Sequence, residues 1–316
     1  MKERILQLDY LKGFFILLMV LFHLSLIENH YPVLRAAVYT FHMSAFLVIS
    51  GYLANIEKDG RTFGRGLLRL VIPYVVFESF YILMLFFLGK TMHTTNSIDS
   101  LTMLSFLDRI AEHPIGPYWY IHTLFICIFI YYLVYKVFKM SNISGFLLTG
   151  LLLYGLSLVI EGLNWANVIY FLIGVFIFRS GKSFMEMIPP SFLALLPLCI
   201  LFSSKDNYYN GSLAGIAITW LVISFMLFVY ACCPDRLKGL LCYLGRNSLA
   251  IVVFSPLFTV LTKIVAPYFS FDPTDVCFAL FALSFVVACS LASAWLCDKL
   301  HISSILFFKE NFYAEY

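Results

Sequence analysis

Apolar runs separated by short polar connections recur along the whole chain. They predict ten helices, at about residues 8–27, 36–54, 71–88, 118–135, 145–160, 166–178, 190–204, 212–232, 247–263 and 274–297. Runs of this kind read as bilayer-crossing helices, for which about 20 residues suffice. Several fall short of that length, the sixth and seventh most clearly, which points to tilt, burial or re-entrance. The longest interruption runs from Gly89 to Pro117 and is polar, then amphipathic, then turn-like. Within it Leu101, Leu104, Phe106, Leu107 and Ile110 cluster at helical spacing and predict an interfacial helix near 99–111, a lid or shelf over one face of the bundle. The fold expected is all-α: one polytopic membrane bundle over residues 1–316, with no internal repeat and no appended soluble domain.

Charge orients the bundle. With the N-terminus cytoplasmic, fifteen Lys and Arg side chains fall in inner connections and five in outer ones, leaving Lys12 inside the first span. By the positive-inside rule both termini are cytoplasmic. Met1–Arg4 before an apolar run imitates a secretory signal. The run is too long and too charged and lacks a small-residue cleavage site, so it is expected to be a retained helix.

Composition narrows the class. The chain is 61% hydrophobic and 12% charged, against about 25% charged in soluble domains, which excludes a soluble protein. A net charge of +3 on dispersed basic residues excludes nucleic acid as a partner. Of eight cysteines, seven fall in or at the ends of apolar runs and Cys242 in a basic connection. Burial is the expectation for them, with no disulfide framework; Cys232–Cys233 has the wrong spacing for a metal pair.

Candidate chemistry concentrates in the first span. Ionisable side chains at membrane depth mark function by default. Lys12 and His23 are eleven residues apart, about three turns and ~16 Å, so both leave one helix face near opposite membrane surfaces. His23, His42 and His122 come from three spans at comparable depth. Each has a plain alternative as a core histidine bonded to a neighbouring carbonyl. No HxxxH or HxH pair accompanies them, and no metal site is expected. An imidazole with an ordinary pKa of about 6.5 suits general-base work. Ser44, Ser50 and Gly51 permit close helix approach or leave backbone open to a ligand. Arg61, Arg65 and Arg69 make one basic stripe, an anchor for anionic lipid or a holder of phosphates. Glu78, inside the third span, needs a partner, with Lys12 or an arginine the candidate. Tyr118, Trp119 and Tyr120 stand where an aromatic belt belongs and could also stack on a sugar ring.

Together these stretches resemble acyltransferase family 3, the integral-membrane O-acyltransferases of bacterial surface polysaccharides. The D-x-x-[RK]-G pattern with a histidine eleven residues after the basic position is matched by Asp9, Lys12, Gly13 and His23. An FHMPLFFFLSG-like segment is matched by Phe41–Phe46 and Ser50-Gly51. Arg65, Arg69 and Pro73 resemble the basic run before the third span, and Pro117–Ile121 the PxWFL-like start of a later one. Leu244–Ile251 resembles the LGxxSLxIY-like segment. Lys12 stands where many relatives carry arginine, Ser44 where many carry proline, and Ser255-Pro256 where many carry a histidine.

The resemblance implies about ten spans and transfer of an acyl group, acetyl before succinyl, from cytoplasmic acyl-CoA to a hydroxyl of a cell-surface or lipid-linked glycan. The donor is a substrate, with no permanently bound cofactor. The setting implied is a bacterial plasma (inner) membrane. His23 is the expected base or transient acyl carrier, and His42 orients it or the acceptor. Lys12, Arg65 and Arg69, with Ser50 and Gly51, serve the CoA donor. Tyr118, Trp119, His122 and Glu78 serve the acceptor. Two other readings stand beside it: a transporter of a polysaccharide or lipid-linked sugar, and a non-catalytic subunit of a polysaccharide synthase.

Overall fold

The computed structural model describes residues 4–88, 98, 100–140 and 142–314. Among these every regular element is helical. The first are α1 (Leu6–Phe22), α2 (Ser25–His30), α3 (Pro32–Leu53), α4 (Gly60–Leu88) and α5 (Met103–Ala111). Then come α6 (Tyr118–Tyr132), which runs into a π-helical turn at Leu133–Val137, α7 (Asn142–Ser157), α8 (Trp165–Arg179), α9 (Phe184–Met187) and α10 (Leu195–Phe202). The last are α11 (Leu213–Cys232), α12 (Asp235–Arg246), α13 (Ser248–Val265), α14 (Val276–Lys299) and α15 (Ile302–Leu306).

Among the described residues six helical stretches are long and apolar enough to cross a membrane: α3, α4, α6 with its π turn, α11, α13 with the turn after it, and α14. Three shorter apolar stretches, Ile143–Ser157, Trp165–Arg179 and Phe192–Phe202, occupy the fifth to seventh expected spans. Phe80, Phe87, Leu147, Leu151 and Ile200 stand exposed around the bundle, an apolar surface of the kind that faces lipid.

Three boundaries differ from expectation. The first span was expected to reach residue 27, but α1 stops at Phe22 and α2 begins after a break at His23-Leu24. The His23 ring bonds the Met19 carbonyl and the Tyr39 hydroxyl bonds the Phe22 carbonyl. Both carbonyls belong to the last turn of α1, and the Met19 carbonyl also accepts the His23 N–H. The third span was expected to start near Pro73, but α4 begins at Gly60 and carries Pro73 within it, so the arginine stripe is its first turns. The basic connection holding Cys242 is the amphipathic helix α12, and the Cys242 thiol donates to the Leu6 carbonyl. Burial, expected for the cysteines, holds for Cys127 and Cys242, while Cys199, Cys232 and Cys277 are exposed.

The expected interfacial helix is α5, whose start is capped reciprocally by Thr102 and Ser105. Its Phe106 and Ile110 pack on the core while Met103, Leu104 and Leu107 are exposed. Residues 89–97 and 99 of the expected polar stretch lie outside the described residues.

α1 is central, packing on α3, α11, α12, α13 and α14. Two crossings are made close by glycines. A Cβ on Gly13 would collide with the Leu241 carbonyl of α12, and one on Gly245 with the Asp9 carbonyl of α1. Likewise a Cβ on Gly51 would strike the Phe171 carbonyl of α8, and one on Gly174 the Val48 carbonyl of α3. With no side chain in between, the helix backbones approach directly. Gly13 and Gly51, each in a motif singled out above, therefore act in packing.

Candidate functional site

α1, α3, α6, α4 and α13 contact one another in a closed ring. The ring lines a cavity of about 320 Å³ that is partly open to the outside. Lys12 lines it from α1, Ser50 from α3, Gly66 and Leu70 from α4, Tyr120 from α6 and Ser248 from α13. Lys58 and Asn55, on the connection after α3, also reach it. A second cavity of about 540 Å³ adjoins the first through Lys12, Leu53, Ala54 and Asn55, and is walled by Arg4, Asp9 and Glu57. The Lys12 ammonium lies 2.8 Å from an Asp9 carboxylate oxygen, and the Arg4 guanidinium holds the other oxygen of the same carboxylate. Asp9 is one turn nearer the helix start, so it draws Lys12 toward the cavity mouth and fixes a cation there. The Ser50 and Tyr120 hydroxyls bond each other at 2.8 Å on the wall.

At the other end of α1, His23 is partly exposed. Its Nδ1 is 2.7 Å from the Met19 carbonyl oxygen. A carbonyl only accepts, so Nδ1 carries the proton of the neutral ring and Nε2 keeps its lone pair. His42 is pinned the same way by the Val38 carbonyl at 2.8 Å, and its Nε2 is buried with no partner among the described residues. The two rings flank Tyr39, at 6.0 Å and 5.2 Å between centroids. The Tyr39 hydroxyl donates to the Phe22 carbonyl at 2.9 Å, and the Arg35 guanidinium lies over the Tyr39 ring. Arg35 is paired with Glu28 at 2.7 Å. Glu28 is in electrostatic reach of both His23 and Lys263. His42 was expected to orient His23 or the acceptor; backbone carbonyls hold each imidazole, and the Tyr39 ring lies beside both.

The two ends share a seam. Lys12, Ile16, Met19 and His23 lie on one face of α1, and Ser50, Phe46, Met43 and Tyr39 on one face of α3. Between the polar ends Ile16, Met19, Met43 and Phe46 are buried. Phe46 packs edge-on against Phe15 and Tyr120. The cavity thus reaches Phe46, seven residues or about 10 Å of helix short of Tyr39 and the His23 ring.

The other expected site residues fall elsewhere. Arg65 and Arg69 line a separate cleft with Ser304, Phe308 and Lys309, and Arg69 donates twice to the Phe308 carbonyl. They leave α4 on the side opposite the cavity-lining Phe63, Gly66 and Leu67, so the structure does not bring them to Lys12. Tyr118, expected in an aromatic belt or against a sugar ring, is fully buried and ties α6 to α13 through the Val253 carbonyl. Trp119 is partly buried beside Tyr120. His122 donates from Nε2 to the Ala111 carbonyl at 3.0 Å. Glu78, expected to meet Lys12 or an arginine, accepts the Ile115 N–H at 2.7 Å and has Arg109 in electrostatic reach. With Tyr74, which donates to the Ile110 carbonyl, His122 and Glu78 grip the backbone between α5 and α6.

Sequence reasoning missed Lys58, Tyr39 and the Ser50–Tyr120 pair. The signal for Tyr39 was its place on the α3 face, at positions 39, 42, 46 and 50, which the helical period could have exposed.

A helical membrane bundle with a mainly apolar cavity that Lys12 and Lys58 reach at one end of its central helix, and an imidazole at the other, defines the class. The acyltransferase domain model of acyltransferase family 3 matches residues 5–295, and the chain belongs to that family. No curated protein and no solved structure matches it.

Proposed function

We propose that the protein is an acyl-CoA-dependent O-acyltransferase of a bacterial inner membrane, moving an acetyl group from cytoplasmic acyl-CoA to a hydroxyl of a cell-surface or lipid-linked glycan. Family membership supports acyl transfer over the transporter and structural-subunit readings. The observation that carries the finer reading is the two-ended seam, with a cation-rimmed cavity beside Lys12 and a basic imidazole nitrogen at His23. Lys12 and Lys58 suit the phosphates of CoA at the mouth. His23 Nε2 takes the proton of the acceptor hydroxyl, whose oxygen attacks the thioester carbonyl carbon. The C–S bond breaks, and the departing CoA thiolate takes up a proton. His42 is the second imidazole at that end, available to the acceptor. The donor binds with the Ile16–Met19–Phe46 plug closed; for the bound donor and His23 then to meet, that plug must move aside.

The test is incubation of the purified full chain with radiolabelled acetyl-CoA and surface glycan. His23→Ala should abolish label transfer with protein level unchanged; retained transfer removes His23 from the chemistry. Lys12→Ala should raise KM for acetyl-CoA roughly tenfold, the scale of one charge-assisted contact, with Lys12→Arg milder.

A further inference from the structure

The inner end of the cavity is closed in a way that bears on which acyl groups fit. Phe46 is 2% exposed and is held from two sides by aromatic neighbours, Phe15 and Tyr120. The Ser50 and Tyr120 hydroxyls beside it bond each other. Behind Phe46, Ile16 and Met19 have no exposed surface. The remaining wall toward this end is apolar, from Ile49 and Leu124. The cations sit at the opposite end: Asp9 draws Lys12 toward the mouth, and Lys58 follows the end of α3.

Building on the donor reading above, we infer that Phe46 and the Ser50–Tyr120 pair form the floor of the acyl-donor cavity and select a short, uncharged acyl group. A longer chain meets the Phe46 ring. A methylene without room costs roughly tenfold or more in discrimination. A succinyl or malonyl group would bring a carboxylate against Phe46, Ile49 and Leu124, where none of the described residues lining that end is a cation, and burying an unpaired charge is strongly unfavourable. The floor therefore excludes dicarboxylic acyl groups as well as long ones. Removing the ring should lengthen the accepted chain without making the site tolerate charge.

The experiment measures binding of CoA and of its acetyl, butyryl, hexanoyl and succinyl thioesters to the purified full chain in detergent. Wild-type protein should bind acetyl-CoA and butyryl-CoA, and hexanoyl-CoA and succinyl-CoA at least about tenfold more weakly. Phe46→Ala should bring hexanoyl-CoA level with acetyl-CoA and leave succinyl-CoA weak. Phe46→Leu, which keeps more of the packing, should give a smaller shift in the same direction and serves if the alanine variant does not fold. Equal binding of all thioesters by wild-type protein, or unchanged selectivity in folded variants of Phe46, overturns the floor while leaving the donor reading intact. Failure of CoA and every thioester to bind overturns the donor reading itself, and the floor with it.

Discussion

At the scale of single residues, the site depends on side chains that hold other groups in place. Tyr39 ties the Phe22 carbonyl, closes α1 and stands against the His23 ring. Tyr39→Phe keeps the ring and loses one hydrogen bond of ordinary strength, about 1 kcal/mol. If Tyr39 positions His23, kcat should fall roughly tenfold with KM for the donor unchanged, read in the label-transfer assay. A rise in KM alone would place Tyr39 in donor binding instead. Lys12 and His23 were legible as charges inside an apolar run. The Asp9 pairing of Lys12 was not taken up, although the two are one turn apart. The place of Tyr39 on the α3 face was legible in the helical period, but its role was not, because only the fold says which carbonyl its hydroxyl meets.

At the scale of elements, helix faces and close crossings carry the architecture. Gly13 meets α12 and Gly51 meets α8 with backbone against backbone. Gly13→Ala should destabilise the bundle by about 1–3 kcal/mol through overpacking, seen as a lower melting temperature in detergent. Gly64, on α4, has open space where a Cβ would stand. Gly64→Ala should be neutral or stabilising by up to about 1 kcal/mol, since alanine is the better helix former; equal losses for the two variants would remove the crossing argument. The apolar period of α12, at Leu237, Leu240, Leu241 and Leu244, was present in the sequence but hidden beneath its charges. The end of α1 at Phe22 carries no glycine or proline and could not be read locally. At that end the Tyr39 hydroxyl from α3 takes the Phe22 carbonyl, a contact that only the fold makes.

At the scale of the whole molecule, the sides of the bundle follow from which helices run parallel. α3 and α8 pack through Gly51 and Gly174 near their C-terminal ends, so Lys58 and Lys182 emerge at one end. Thr40 bonds the Tyr208 carbonyl and Tyr31 the Thr274 carbonyl, so Lys205 and Thr274 belong to the other. On a cysteine-free background, a membrane-impermeant thiol reagent applied to intact cells should label cysteines placed at Lys205 and Thr274. It should spare cysteines at Lys58 and Lys182. Labelling of Lys58 and Lys182 on opposite sides would rule out the proposed topology.

Apolar run length and the distribution of charge by themselves determined that this chain is a helical membrane protein. They also determined that its first helix pairs a cation with an imidazole on one face, because hydrophobic periodicity and charge placement are local properties. Only the tertiary structure decided what that face encloses. Lys58, Tyr120 and Ser248 reach the cavity from three other parts of the chain, while Arg65 and Arg69 turn away from it. The apolar plug between Lys12 and His23 likewise exists only where α1 and α3 meet. Such contacts are set by helix rotation and crossing, to which glycines at the interfaces contribute, and no one-dimensional pattern records them.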